Sequence, residues 1–105
     1  MISETEGYIV REEEFIKFLE NDPSISSKEK AVRSRLSKAR KVERELDINL
    51  DSVVIDDELT YRTLLRIQEV MGDRNGSIQN SVRKYYLFIN GEEFPTIKEY
   101  ERRQD

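Results

Sequence analysis

Apolar residues recur at three- and four-residue steps along most of this chain, which is the spacing of helices that bury one side. The most regular stripe lies in the stretch 28–46, and weaker stripes with the same spacing precede and follow it. The predicted fold is therefore all-α, a compact bundle of four to five helices with short loops. The pattern places these helices over about 11–21, 27–46, 56–70, 77–89 and 97–103.

Local signals mark where the predicted helices begin and end. Ser26 stands three residues before Glu29, and Thr96 stands three residues before Glu99, so both pairs have the spacing of a capping box. The stretch 72–76, with two glycines, an aspartate and an asparagine, predicts the clearest turn of the chain.

The predicted core follows from these stripes. The second predicted helix supplies Val32, Leu36, Ala39, Val42 and Leu46. The third supplies Leu59, Leu64, Leu65, Ile67, Val70 and Met71. The fourth supplies Ile78, Val82, Tyr85, Tyr86 and Ile89, and Asn90-Gly91 predicts its C-terminus.

The acidic segment 47–58 follows the second predicted helix and runs into the first turn of the third. Its apolar residues Leu50, Val53, Val54 and Ile55 are expected to be buried in a short connection, with a brief strand as an alternative.

The same segment also has the outline of a calcium loop. Ser52 stands where that loop requires glycine, and apolar side chains fill positions that are usually polar. We therefore interpret the segment as a connector and predict no metal or other cofactor. The residues at the ligand positions are Asp47, Asn49, Asp51 and Glu58.

Charge is strongly segregated along the 105 residues, whose net charge is −4. The stretch 28–44 has eight basic and two acidic residues, whereas 45–59 has six acidic residues and no basic one. Because a local field steers a polyanion, the acidic total does not exclude nucleic acid as a partner. On the second predicted helix, the following basic residues fall opposite the apolar stripe, with Ser34 and Ser37 close to the same arc: Lys30, Arg33, Arg40, Lys41 and Arg44.

The composition removes several kinds of chemistry. The chain has no histidine and no cysteine, so the commonest general base, imidazole and thiolate metal ligands, and disulfides are all excluded. No stretch approaches the roughly 20 apolar residues of a membrane span, and the N-terminus has no basic and apolar signal. We therefore expect a single cytoplasmic domain over 1–105 that is not an enzyme, with a lead-in over 1–10, core helices over 11–90 and a C-terminal turn and short helix over 91–105.

The order of these segments resembles a known family. FIKFLEND, PSISSKEKAVRSRLSKARKVERE, INLDSV, DDEL and NSVRKYYLFI follow one another as the helices and acidic linker do in the SAM-like core-binding domain of tyrosine recombinases, the phage integrases. The resemblance covers about residues 12–90 and is one of pattern and order. It implies a SAM-like orthogonal bundle that takes part in DNA recombination and clamps duplex DNA with its second and fourth helices.

The resemblance also implies which residues contact DNA. Recombinase catalysis belongs to a separate domain, so Tyr85 and Tyr86 are not expected to be nucleophiles. The implied contacts on the second helix are Arg33, Ser34, Ser37, Arg40, Lys41 and Arg44, and those on the fourth are Asn80, Arg83 and Lys84.

Two functions follow as expectations. The first is a non-catalytic DNA-binding module that contacts duplex phosphates through the basic face of the second helix and part of the fourth. The second is a protein-interaction or self-association module, with a protein partner or a homodimer held by the segregated acidic and basic surfaces. A plain solvated face is the remaining interpretation of the basic residues.

Overall fold

The computed structural model describes residues 11–23, 25 and 28–104, and every regular element in them is a helix. The all-α prediction is confirmed, whereas the predicted lead-in and the Ser26 cap lie outside the described residues. The helices are α1 (Glu12–Glu20), α2 (Lys28–Leu46), α3 (Leu50–Val54), α4 (Asp57–Val70), α5 (Ser77–Asn90) and α6 (Ile97–Arg103).

The core forms where the apolar stripe of α2 packs along α5, with α1 against both helices. Phe15 of α1 is fully buried, and its ring meets Tyr85 edge-on with the ring centroids 4.9 Å apart. Phe88 lies 5.5 Å from the Phe15 ring, so three aromatic rings join α1 to α5. The predicted stripe of α2 is buried throughout, at Val32, Leu36, Ala39, Val42 and Leu46.

The connection after α2 differs from its prediction, because residues 50–54 form the short helix α3 and no strand. The Asn49 side chain caps this helix by accepting a hydrogen bond from the backbone N–H of Ser52 at 3.1 Å. Leu50, Val53 and Val54 are buried as expected. Ile55 was predicted to be buried, but it follows the last turn of α3 at the corner before α4 and is 72% exposed.

The inner face of α4 also differs from its prediction. Leu59 and Val70 were core candidates, yet they are 43% and 63% exposed. Thr60 and Thr63 are buried instead, beside Leu64 and Ile67 on the same stripe. The Thr60 hydroxyl donates to the backbone oxygens of Val53 at 3.1 Å and Asp56 at 2.9 Å, so its burial leaves no polar group unpaired.

Asp73 sets the start of α5. Its carboxylate is buried in the turn before the helix and accepts hydrogen bonds from the backbone N–H groups of Ile78 at 3.1 Å and Gln79 at 2.8 Å. At the other end, Gly91 adopts a left-handed conformation with φ 79°, and its N–H donates to the Leu87 carbonyl at 2.8 Å. The predicted turn and the predicted C-terminus of this helix are both confirmed.

The C-terminal segment folds back onto the bundle. Thr96 caps α6 by accepting from the Glu99 N–H at 3.1 Å, as its spacing predicts. Phe94 and Tyr100 are buried, and their rings lie 5.3 Å apart. Phe94 in turn packs edge-on against Tyr86 of α5, with the ring centroids 5.0 Å apart. These aromatic contacts pack α6 against the core.

We predict that Asp73→Ala lowers the free energy of unfolding by about 1–2 kcal/mol, because two backbone N–H groups at the start of α5 lose their acceptor. Urea denaturation followed by circular dichroism measures this change. The exposed neighbour Arg74 provides the control, and Arg74→Ala should alter the free energy by less than about 0.5 kcal/mol. Equal effects of the two substitutions would contradict the assigned role of Asp73.

Candidate nucleic-acid interface

One side of α2 faces away from the core. Five exposed residues on this side step along the helix by three, four, four and three positions, so they lie within an arc of about 80°. Glu29 and Glu45, which are also exposed, flank this arc on its two sides. The apolar stripe occupies the opposite side and is buried. We name the five residues within the arc the basic stripe; they are Lys30, Arg33, Ser37, Lys41 and Arg44.

Ion pairs with described residues compensate little of the charge on the basic stripe. Arg33 pairs with Glu29 one turn earlier at 3.0 Å, but the two side chains are 76% and 85% exposed, so water screens the pair. Within residues 11–23, 25 and 28–104, no carboxylate forms an ion pair with Lys30, Lys41 or Arg44. The stripe therefore presents four cations and a serine hydroxyl over about 21 Å of helix.

Ser34 and Lys38 border the basic stripe. The Lys38 ammonium donates to the Ser34 hydroxyl oxygen at 2.6 Å, so this predicted contact residue is already hydrogen-bonded. The predicted contacts do not include Lys38, which lies about 60° beyond Lys41 around the helix axis. The structure leaves its charge next to the stripe and half-buried.

Arg40 has a structural partner on another helix. Its guanidinium makes two hydrogen bonds to the Glu12 carboxylate, with Nε 3.0 Å from Oε1 and Nη2 against Oε2. The arginine side chain is 35% exposed and the glutamate 22% exposed. This bidentate pair joins the first turn of α1 to α2. Arg40 therefore stabilises the packing of α1 against α2, the helix that carries the basic stripe.

Two of the predicted contact residues on α5, Arg83 and Lys84, bind to neighbouring loops of the chain. Arg83 donates through Nη1 to the backbone oxygens of Phe94 at 2.9 Å and Pro95 at 3.0 Å, and its guanidinium carbon lies 5.9 Å from the centre of the Phe94 ring. Burial lowers the pKa of Arg83. Lys84 pairs with Asp22 at 2.6 Å, and both side chains are largely buried.

Asn80, the third predicted contact on α5, is half-buried. It lines a shallow pocket of about 150 Å³ together with Arg83, Lys84 and Phe94.

Of the predicted contact residues, the structure gathers Lys30, Arg33, Ser37, Lys41 and Arg44 on one exposed face of α2. It gives Ser34, Arg40, Arg83 and Lys84 partners inside the chain.

The acidic segment that follows α2 has structural partners as well. The hydroxyl of Tyr85 donates to Asp51, that of Tyr86 donates to Asp57 at 2.7 Å, and that of Tyr100 donates to Glu58 at 3.1 Å. Asp56 caps α4 by accepting from the Leu59 N–H at 3.1 Å.

Three of the residues at the ligand positions of the calcium-loop pattern take part in such structural contacts. Asn49, Asp51 and Glu58 are engaged with the α3 cap, with Tyr85 and with Tyr100. The described part of the chain contains no group of three or more acidic side chains placed to hold a metal ion.

Burial and neighbouring carboxylates raise the pKa values of the two tyrosines of α5, Tyr85 and Tyr86, above the ordinary value. Burial, reinforced by the hydrogen bond to Asp57, raises the pKa of Tyr86 to about 12. The same two causes, with Asp51 as the acceptor, raise the pKa of Tyr85 further still. Both hydroxyls therefore remain protonated donors at neutral pH.

Comparisons with protein-family models, with curated proteins and with solved structures give no match for this chain. The likeness to the recombinase core-binding domain therefore stays a prediction from the sequence pattern. In the part of the chain that the structure describes, none of the helices is both long enough and apolar enough to cross a membrane.

We predict that Arg83→Met lowers the free energy of unfolding by about 1–3 kcal/mol, because the Phe94 and Pro95 carbonyls lose their donor. Urea denaturation measures the loss. Arg103→Met, at the exposed end of α6, is the control and should change the free energy by less than about 0.5 kcal/mol. Unchanged stability of Arg83→Met would show that the guanidinium does not hold the loop.

We also predict that the free energy of unfolding decreases as the pH rises from about 10 to about 12. The folded state keeps Tyr86 protonated up to a pKa of about 12, whereas the unfolded chain loses that proton near the ordinary value of 10, so deprotonation favours unfolding across this window. Ultraviolet absorbance of tyrosinate, with and without denaturant, measures the shift. Tyr86→Phe should reduce the pH dependence, and superimposable titrations of folded and unfolded chain would refute the assignment.

Proposed function

We propose that this chain is a non-catalytic DNA-binding module that contacts the phosphates of duplex DNA through the basic stripe of α2. The observation that carries the proposal is the set of four exposed cations on one helix face, three of them without an ion pair to a described residue. Like charges this close repel one another, and the negative phosphates of a polyanion relieve that repulsion. The counterions that the polyanion releases on binding add a favourable, salt-dependent contribution.

The dimensions of α2 suit a duplex. The helix has 19 residues, and an α-helix fits into the major groove of B-DNA, which is about 12 Å wide. The side chains of the basic stripe are lysine, arginine and serine, which supply many of the hydrogen bonds that proteins make to phosphate oxygens. Arg33 and Arg44 are also of the type that can reach the base edges of guanine.

The remaining predicted contacts have a supporting role in this proposal. Arg40 holds α1 against α2, whereas Arg83 and Lys84 fasten loops to α5. The resemblance of the segment order in the sequence to the recombinase core-binding domain, as read from pattern alone, favours the same function. The lack of cysteine among all 105 residues fits the cytoplasmic location that we propose.

The test is fluorescence anisotropy with a labelled random duplex of about 20 base pairs at several salt concentrations. With about four phosphates neutralised, the logarithm of the binding constant should fall with the logarithm of salt with a slope near −4. The double variant Lys30→Glu, Lys41→Glu should weaken binding at least about tenfold, because two contacts become repulsive. It avoids Arg40, whose loss would disturb the pairing with Glu12.

The matched control is Lys98→Glu, Arg103→Glu. It makes the same change in net charge at two exposed positions of α6. This variant should bind DNA within about threefold of the parent chain, since only the local field of α2 matters. Equal losses in the two double variants, or no binding by the folded parent at low salt, would refute the proposal.

A further inference from the structure

The outer side of α5 borders two adjacent cavities that the DNA-binding proposal does not use. The shallow pocket beside Asn80 and Arg83 has a volume of about 150 Å³. A wider cavity of about 330 Å³ lies toward the end of the same helix. Leu87 lines both, so they meet at this side chain, and we name the two together the α5 cleft. Concave sites with an apolar part and a few polar groups are typical places for small ligands.

Two polar side chains of the smaller cavity have hydrogen-bond donors without a protein acceptor. Arg83 binds the carbonyls of Phe94 and Pro95 through Nη1, and no described residue accepts a hydrogen bond from its Nε or Nη2. The side-chain amide of Asn80, three residues earlier on α5, forms no hydrogen bond with a described residue either. Both side chains line the cavity, so they can donate to a ligand placed in it.

The charges around the smaller cavity balance one another. The Lys84 ammonium is paired with Asp22, so these two charges cancel. The guanidinium of Arg83 and the exposed carboxylate of Glu93 remain, and both line the cavity without forming an ion pair with each other. Burial lowers the pKa of Arg83, and the nearby charge of Glu93 partly opposes this shift. A simple anion or a simple cation would therefore meet one attractive and one repulsive charge, whereas a ligand with both charges can be attracted by both.

Apolar side chains continue from this charged end of the α5 cleft. Leu87 and the buried Phe94 line the smaller cavity. Phe18 and Pro23 line the wider cavity beyond Leu87, and most of its surface is apolar. The cleft thus combines a charged end with an apolar end, which match a small molecule built in the same way.

We propose that the α5 cleft binds a free α-amino acid with a large apolar side chain. Its carboxylate accepts hydrogen bonds from Arg83 and Asn80, and its ammonium group lies against Glu93. Its side chain packs on Leu87 and extends toward the wider cavity. An α-amino acid carries both charges on one carbon atom, so it pairs with two opposite charges without adding a net charge. The site includes no residue of the basic stripe, so it does not depend on the DNA-binding proposal.

The test is an NMR titration of the isotope-labelled full chain, followed at the backbone amides of residues 80–94. The ligands are L-leucine and two analogues: isocaproate, which lacks the ammonium group, and isoamylamine, which lacks the carboxylate. Leucine should bind at least about tenfold more tightly than either analogue, because each analogue loses one charge-assisted contact. Glycine should also bind more weakly than leucine, since it has no apolar side chain to remove from water.

Glu93→Lys should reverse the order of the ligands, so that isocaproate binds more tightly than leucine, because the acceptor of the ammonium group is replaced by a like charge. The matched control is Glu92→Lys, which makes the same change in net charge at an exposed neighbour outside the lining of the cleft. It should keep the preference for leucine within about twofold of the parent. Equal binding of leucine and isocaproate, an unchanged order in Glu93→Lys, or no amide shifts with leucine up to its solubility limit would overturn the proposal.

Discussion

The packing of the α2 stripe along α5 is the contact on which the rest of the molecule depends. It buries the apolar side of α2 from Val32 to Leu46, and α1 completes the same core through Phe15 and Leu19. Because one side of a helix is fixed in this way, the opposite side must face solvent. The position of the basic stripe is therefore a consequence of hydrophobic packing, and the repulsion among its cations is a cost that the core sustains.

The abundant charge of this chain serves two different purposes. Part of it fixes the fold: Glu12 holds Arg40, Asp22 holds Lys84, and Asp51 and Asp57 accept hydrogen bonds from buried tyrosines. A buried hydroxyl or amine needs such a partner, since an unpaired polar group in the core is costly. The rest remains on the surface, where the outward side of α2 carries four basic residues between the exposed Glu29 and Glu45. Segregation of charge along the sequence thus does not translate directly into segregation on the surface.

The basic stripe of α2 offers cations and a serine hydroxyl, groups that commonly bind phosphate oxygens. The DNA-binding proposal rests on these exposed residues. It does not rest on Arg40, Arg83 or Lys84, which have partners inside the chain.

Local chemistry by itself determined much of this protein. The Thr96 cap, the turn after Gly72 and the Gly91 terminus were all predictable, because their contacts join residues that are close in sequence. The exposure of Lys30 and Lys41 was predictable too, since a helix with one apolar stripe exposes the opposite side.

Only the tertiary structure decided which side of α4 is buried. Its pattern offered leucines, valine and threonines on overlapping arcs, and the contact with α3 buried Thr60 while leaving Leu59 exposed. It also decided the partners of Arg40, Arg83 and Lys84, which lie 28, 11 and 62 residues away in the sequence. Helical periodicity shows where a side chain points from its own axis, but the partner it meets depends on how the other helices are placed around it.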